Sequence, residues 1–183
     1  MAARARPLPP LTLVLGGARA GKSRYAEALI EDAAPENFAG GLYCATAEAG
    51  DAEMAARIAA HRARRGPFWR TIEAPLAMPQ IVAAETRPDN PVLVDCLTLW
   101  LSNMMLAGYD IEAGSDALAT ALRGAAGPVV LVANEVGLGI VPATPLGRAF
   151  RDAAGRLNQQ IAALAERVVF VAAGLPLVLK DAR

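Results

Sequence analysis

LTLVLGGARAGKS, residues 11–23, joins a continuous apolar run to a glycine-rich turn that ends in Lys-Ser. The run lies between Pro10 and Gly16 and reads as a strand buried on both faces. The next residues, RYAEALIEDA (24–33), have the composition and apolar spacing of a helix. Between strand and helix, Gly16, Gly17, Ala18, Arg19, Ala20, Gly21, Lys22 and Ser23 match G-x-x-x-x-G-K-[ST]. The bland alternative is an ordinary glycine-rich strand-to-helix turn. The context favours a phosphate-binding loop. Glycines let backbone N–H groups wind around an anion, and the helix N-terminus adds partial positive charge. Lys22 supplies a point charge for the β- and γ-phosphates, and Ser23 offers a hydroxyl to Mg²⁺. Lys180 is the only other lysine, so Lys22 stands out in a chain that otherwise uses Arg.

Outward from this loop the pattern repeats. Strands are expected at 42–46, 69–72, 92–95, 129–133 and 168–172, with a short one at 177–179. Helices are expected at 51–65 (N-cap Asp51), 77–85, 97–107, 116–124 and 146–166. Residues 108–115 read as a loop. The apolar runs are continuous rather than alternating, which suits an α/β fold with a mostly parallel sheet covered by helices. The organisation expected is an extended tail over residues 1–10 and one nucleotide-binding domain over 11–183. Both cysteines, Cys44 and Cys96, sit at apolar runs and read as small buried hydrophobes.

The 183 residues carry 18 Lys plus Arg against 18 Asp plus Glu, a formal net charge of zero. That balance argues against a nucleic-acid partner, which calls for a basic excess. Mean hydropathy is +0.30, but alanine inflates it. No stretch approaches the roughly 20 apolar residues of a spanning helix. The N-terminus lacks the apolar region of a signal peptide, so a cytoplasmic enzyme is expected.

Asp95 ends the apolar run 92–95 and is the natural second metal partner beside Ser23, in the manner of a Walker-B carboxylate; the alternative is a cap for the next helix. His61 is the only histidine. On a helix, Arg57, Arg64 and Arg65 fall three or four positions from it. Guanidiniums there would keep the imidazole neutral and nucleophilic and could hold a triphosphate. His61 is therefore a candidate phosphoryl or nucleotidyl acceptor; the alternative is a half-buried surface histidine beside a solvated Arg run. Glu135, after the run 129–133, is a candidate to orient a water, hydroxyl or metal, or else a plain loop carboxylate. Glu73 could return to the site from beyond the His61 helix.

GGARAGKSRYAE (16–27), EMAARI-x-x-H (53–61), WRTIE (69–73), VDCLTLWLSN (94–103), NEVGLGIVP (134–142) and FRDAAGRLNQ (150–159) together resemble one family. It is the bifunctional adenosylcobinamide kinase/adenosylcobinamide-phosphate guanylyltransferase family of cobalamin biosynthesis. The resemblance implies a RecA-like P-loop NTPase fold, a homotrimer, and a two-step reaction. Adenosylcobinamide is phosphorylated with ATP or GTP. GMP then passes from GTP to adenosylcobinamide-phosphate through a guanylylated histidine, giving adenosylcobinamide-GDP and pyrophosphate. By position that histidine is His61, with Lys22 as its catalytic companion in the loop. Nucleotide contacts implied are Gly16 to Ser23, Ala45, Thr46, Ala47, Arg62, Ala63, Arg64, Arg65, Glu73 and Asp95, with Mg²⁺ on Ser23 and Asp95. Ala20 and Ala47 depart from serines usual in the family. A small-molecule kinase without nucleotidyl transfer, a RecA-like ATPase motor and a nucleotide-sensing binding protein are the rival readings. Trp100, Met104 and Met105 are corrinoid-pocket candidates that fit a core or subunit interface equally well.

Overall fold

The computed structural model describes residues 7–34 and 40–182. The expected apolar runs form strands β1 (Leu11–Gly16), β2 (Gly41–Ala45), β3 (Trp69–Glu73), β4 (Val92–Asp95), β5 (Val129–Asn134), β6 (Arg167–Ala172) and β7 (Leu175–Asp181). Between them lie α1 (Lys22–Ala33), α2 (Ala52–Arg64), α3 (Met78–Glu85), α4 (Leu97–Leu106), α5 (Ile111–Arg123) and α6 (Pro145–Leu164). The strand order is β3-β2-β4-β5-β1-β6-β7. All pairings are parallel except β6–β7. Ala173 (φ 51°) and Gly174 (φ 79°) close that last hairpin. Two successive positive φ values match the right-handed strand twist, as in a primed hairpin turn.

Strand alternation splits the core between the two faces. Val14, Tyr43, Leu93, Val130 and Val132 point to one face and pack with Ala26 and Ile30 of α1. Leu13, Leu42, Val94, Leu131 and Ala133 point to the other and pack with α3, α4, α5 and α6 through Met78, Trp100, Leu118 and Ile161. Each fully buried large apolar side chain contributes about 1.5–3 kcal/mol. Trp100 and Met104 are buried in this second cluster and Met105 packs against it, so these three serve the core.

One expectation fails at residues 108–115. Helix α5 already begins at Ile111. Asp110 caps it, accepting from the Ala113 N–H at 3.0 Å. Gly114 lies inside the helix and faces α4: a Cβ there would lie 2.1 Å from Met104 Cε, so the flexible Met104 side chain would have to shift. Ser115 donates back to the Ile111 carbonyl at 2.7 Å. Glycine and serine act here as packing and back-bonding residues, not as loop formers.

Residues 1–6 of the expected tail lie outside the described residues. In the rest of it Pro9 is buried, Leu8 packs against the α1-side core, and the Pro10 carbonyl accepts from Val129 N–H at 2.9 Å.

Candidate active site

The site lies at the carboxyl ends of the parallel strands, where open α/β sheets place their ligands. Gly16 ends β1 with φ 153°, and a Cβ on it would fall 2.3 Å from the Val171 carbonyl oxygen of β6. Only glycine lets the loop leave the sheet here. Arg19 (φ 58°) and Gly21 (φ 99°) are the left-handed residues of the turn, the backbone geometry that winds N–H groups around an anion. Gly21 caps α1 and brings no side chain of its own to hydrogen-bond the helix start. The first turn carries no acidic residue. The positive end of α1 is thus left for an external anion. Lys22 is buried, and its ammonium donates to the Gly17 carbonyl at 2.6 Å, folding the side chain back along the loop.

Register lines up the rest. Asp95 at the end of β4 is level with Ala45 of β2 and Val132 of β5, and Ala45 is level with Glu73 of β3. Asp95, Ala45, Val132 and Asn134 all stand on the α1 face. The Tyr43 hydroxyl, from the same face of β2, donates to Asp95 Oδ2. The backbone around Asp95 is fixed as well. The Asp95–Cys96 peptide is cis. Thr46 donates to the Cys96 carbonyl (2.7 Å) and accepts from the Cys96 N–H (2.8 Å), and its own N–H donates to the Asp95 carbonyl (3.1 Å).

These groups open into a cavity of about 760 Å³. Arg19, Ala20, Gly21, Lys22 and Ser23 form one wall. Ala45, Ala47, Glu73 and Asp95 form the strand-end floor. Ile58, His61 and Arg62 of α2, with Arg65 just past it, line the same space. The lone histidine and the phosphate-binding loop therefore face the same space. Arg62 pairs with Glu73, joining α2 to the β3 edge. The Arg65 guanidinium lies 3.3 Å from the Tyr43 ring centroid and donates to Thr71 Oγ1 at 3.0 Å.

A model of the family described as cobinamide kinase / cobinamide phosphate guanyltransferase matches residues 12–179. The chain belongs to this family. It is 49% identical to the bifunctional adenosylcobalamin biosynthesis protein CobP of Pseudomonas aeruginosa, covering 92% of this chain and 96% of that one. It is 42% identical to the protein of the same description, CobU, of Escherichia coli, covering 93% and 99%. Among solved structures, flagellar accessory protein FlaH of Methanocaldococcus jannaschii superposes with a TM-score of 0.52 at 11% identity, over 97% of this chain and 82% of that one. At that identity the likeness concerns the fold alone.

Within this member of the cobinamide kinase / guanyltransferase family, not every residue expected at the site reaches the cavity. Gly16, Gly17, Ala18 and Ala63 do not line the space. Thr46 is fully buried, with its hydroxyl engaged by Cys96, so its side chain braces the floor. Glu135 points into its own loop: its carboxylate accepts from Gly137 N–H at 2.7 Å. The side chains of Arg57 and Arg64 lie outside the described residues.

The structure also brings in residues that the sequence did not single out. Asn134 lines the cavity level with Gly16, its backbone held by Thr98 Oγ1 (2.7 Å) and Asn158 Nδ2 (3.3 Å). Tyr43 and Cys96 line it too. Burial, reinforced by the Asp95 charge, holds the Tyr43 phenol protonated far above its ordinary range, so it remains a donor. Burial pushes the Cys96 thiol up to about 12, which removes it as a nucleophile near neutral pH.

Proposed function

We propose that this chain phosphorylates adenosylcobinamide with a nucleoside triphosphate and then transfers GMP from GTP to the resulting phosphate through His61. The observation that carries the reading is the shared cavity: the lone histidine lines the same space as Lys22, Ser23 and Asp95. Family membership supplies the two half-reactions, and the cavity supplies groups suited to each.

In the kinase step the substrate hydroxyl oxygen attacks the γ-phosphorus. The bond to the β-bridging oxygen breaks, and the hydroxyl proton leaves to water. The loop backbone, Lys22 and the α1 N-terminus hold the phosphates and offset their charge. In the transfer step a ring nitrogen of His61 attacks the α-phosphorus of GTP. A P–N bond forms and pyrophosphate leaves. A phosphate oxygen of adenosylcobinamide-phosphate then attacks the same phosphorus, the P–N bond breaks, and the neutral imidazole returns. Arg19, Arg62 and Arg65 line the path with positive charge. Within the nucleotide-binding set we also keep Ala20, Gly21, Ala45, Ala47 and Glu73, which share the cavity.

Ser23 and Asp95 present a hydroxyl and a carboxylate to one space, a hard-oxygen pair that fits Mg²⁺, which takes few protein ligands alongside phosphate oxygens and water. When bound, Mg²⁺ would neutralise developing phosphate charge. The two steps attack different phosphorus atoms, so the nucleotide must sit in two poses or the His61 wall must move. Crystals with each substrate pair would test this; identical poses with an unmoved α2 would count against it.

We also place residues 11–183 in one nucleotide-binding domain and the protein in the cytoplasm, where its triphosphate substrates are found. We propose a homotrimer. Its support is the exposed apolar edge strand β7, with Leu175, Leu177 and Leu179 all more than half exposed, an arrangement that proteins normally cover.

The deciding experiment is incubation with Mg²⁺ and α-³²P-GTP, alongside His61→Ala. Acid-labile, alkali-stable label present in the wild type and absent from the variant is the expected result. A folded, GTP-binding wild type that takes no label would remove the covalent route and leave a kinase.

A further inference from the structure

We propose that Tyr43 is a positioning residue for this site: its hydroxyl fixes one oxygen of Asp95 so that the other is held toward the phosphate side of the cavity. The inference rests on the assignment of Ser23 and Asp95 to the magnesium side of the nucleotide.

A carboxylate turns easily about its last torsion, which is broad and two-fold. An unheld Asp95 would present either oxygen, at any tilt. The Tyr43 hydroxyl donates to Oδ2 and removes that freedom. Tyr43 is itself held. Only 1% of it is exposed, and it lies edge-on to Trp69 with ring centroids 5.8 Å apart. Trp69 in turn donates to Glu31 of α1 at 2.7 Å. The free face of the Tyr43 ring carries the Arg65 guanidinium, one residue past the helix that holds His61. A buried phenol needs a partner for its O–H, and Asp95 provides it. The bond therefore satisfies both groups and sets the carboxylate plane. Partners that orient a metal-binding carboxylate change metal affinity or activity by about 10–100-fold when removed.

Tyr43→Phe isolates the bond. It keeps the ring, its packing on Trp69 and the Arg65 contact, and removes only the hydroxyl. The probe is a GTP analogue with a methylene between the α- and β-phosphorus, which cannot transfer GMP. Its affinity is measured by titration calorimetry in Mg²⁺ and in EDTA, and Mn²⁺ binding is followed by electron paramagnetic resonance. In Tyr43→Phe we expect a Mg²⁺-dependent affinity weakened about 10–100-fold, with affinity in EDTA unchanged. Mn²⁺ affinity should fall in parallel, and excess Mg²⁺ should restore turnover. In an Asp95→Asn background the Tyr43→Phe change should add nothing, because the effect runs through the carboxylate.

Equal losses in Mg²⁺ and EDTA would mean a general packing role and would overturn the proposal. So would wild-type Mg²⁺ dependence in Tyr43→Phe, or full additivity with Asp95→Asn. A thermal melt of each variant keeps misfolding from passing as a positive result. If the wild type fails to take label from GTP, the transfer reading falls, while the Mg²⁺-dependent binding of the analogue still decides the role of Tyr43.

Discussion

Helix α1 buries Lys22, Ala26, Glu27 and Ile30 against the sheet, whereas no described side chain of α2 is buried. Both helices line one cavity, yet different physics holds them. Apolar burial and a glycine-only exit from β1 fix the first. Among the described residues, the second is tied down by polar contacts near its end: Arg62 with Glu73, and Arg65 on Tyr43 and Thr71. A phosphate grip benefits from being preorganised, since fixed dipoles need no reorganisation during reaction. Under the proposed two-step reaction, a histidine that acts in one half-reaction and stands aside in the other would benefit from weaker attachment, because elements with few buried contacts open at low free-energy cost.

The largest effect should come from the rigid wall. Gly16→Ala drives a methyl group into the Val171 carbonyl, so a loss of about 3 kcal/mol or more is expected. Thermal melting should fall by about 10 °C. A normal melt would show that β1 and β6 can part at the loop, and the contrast with α2 would weaken. Lys22→Ala comes next. Removing a charged hydrogen-bond donor from the phosphates should raise the GTP dissociation constant by about 100-fold in equilibrium titration.

Thr46→Val should follow. It keeps the shape and removes the hydroxyl that both accepts from and donates to Cys96. The stranded buried N–H costs about 1–3 kcal/mol, a drop of several degrees in the melt. Glu73→Gln should do least to stability. Both partners of the Arg62 pair are more than half exposed, so the change should stay within about 1 kcal/mol and vanish in high salt. Its signature should instead be a slower appearance of label on His61. A several-degree loss in Glu73→Gln would show that α2 is anchored as firmly as α1.

Much of this was legible before any coordinates. The run 11–15 and the loop after it announce the α1 wall because the chemistry demands glycine, lysine and serine at fixed spacing. Asp95 is legible because a carboxylate closing an apolar run is unusual. Tyr43 is not, since within LYCAT it reads as one more apolar strand residue, and only the sheet register brings its hydroxyl to Asp95. Thr46 and Glu135 spend their polar atoms on partners that the sequence pattern does not reveal. Sequence shows a polar side chain near a site, but the local backbone decides whether that side chain faces the ligand or its own loop. The start of α5 is hard to read because Gly114 and Ser115 carry a loop's composition, while the packing of Gly114 on Met104 appears only once α4 and α5 are folded together.

The smallest effect near neutral pH concerns the two thiols, one on each face of the sheet. Burial raises Cys44 and Cys96 to about 12, and the Asp95 charge adds to the shift at Cys96. In the unfolded chain a thiol titrates near 8.5. Below that pH both states hold the proton, and these groups impose no pH dependence. Above it the unfolded chain releases protons that the folded chain retains, so stability falls as pH rises toward about 12. Melting temperature should therefore be flat near pH 7 and decline at alkaline pH, less steeply in Cys44→Ala. A thiol reagent at pH 8 should leave both cysteines of the folded protein unmodified. Rapid modification of Cys96 alone would mean that the cavity floor opens to solvent beside Asp95. The contrast between a fixed phosphate wall and a loosely held histidine wall would then have to extend to the floor between them.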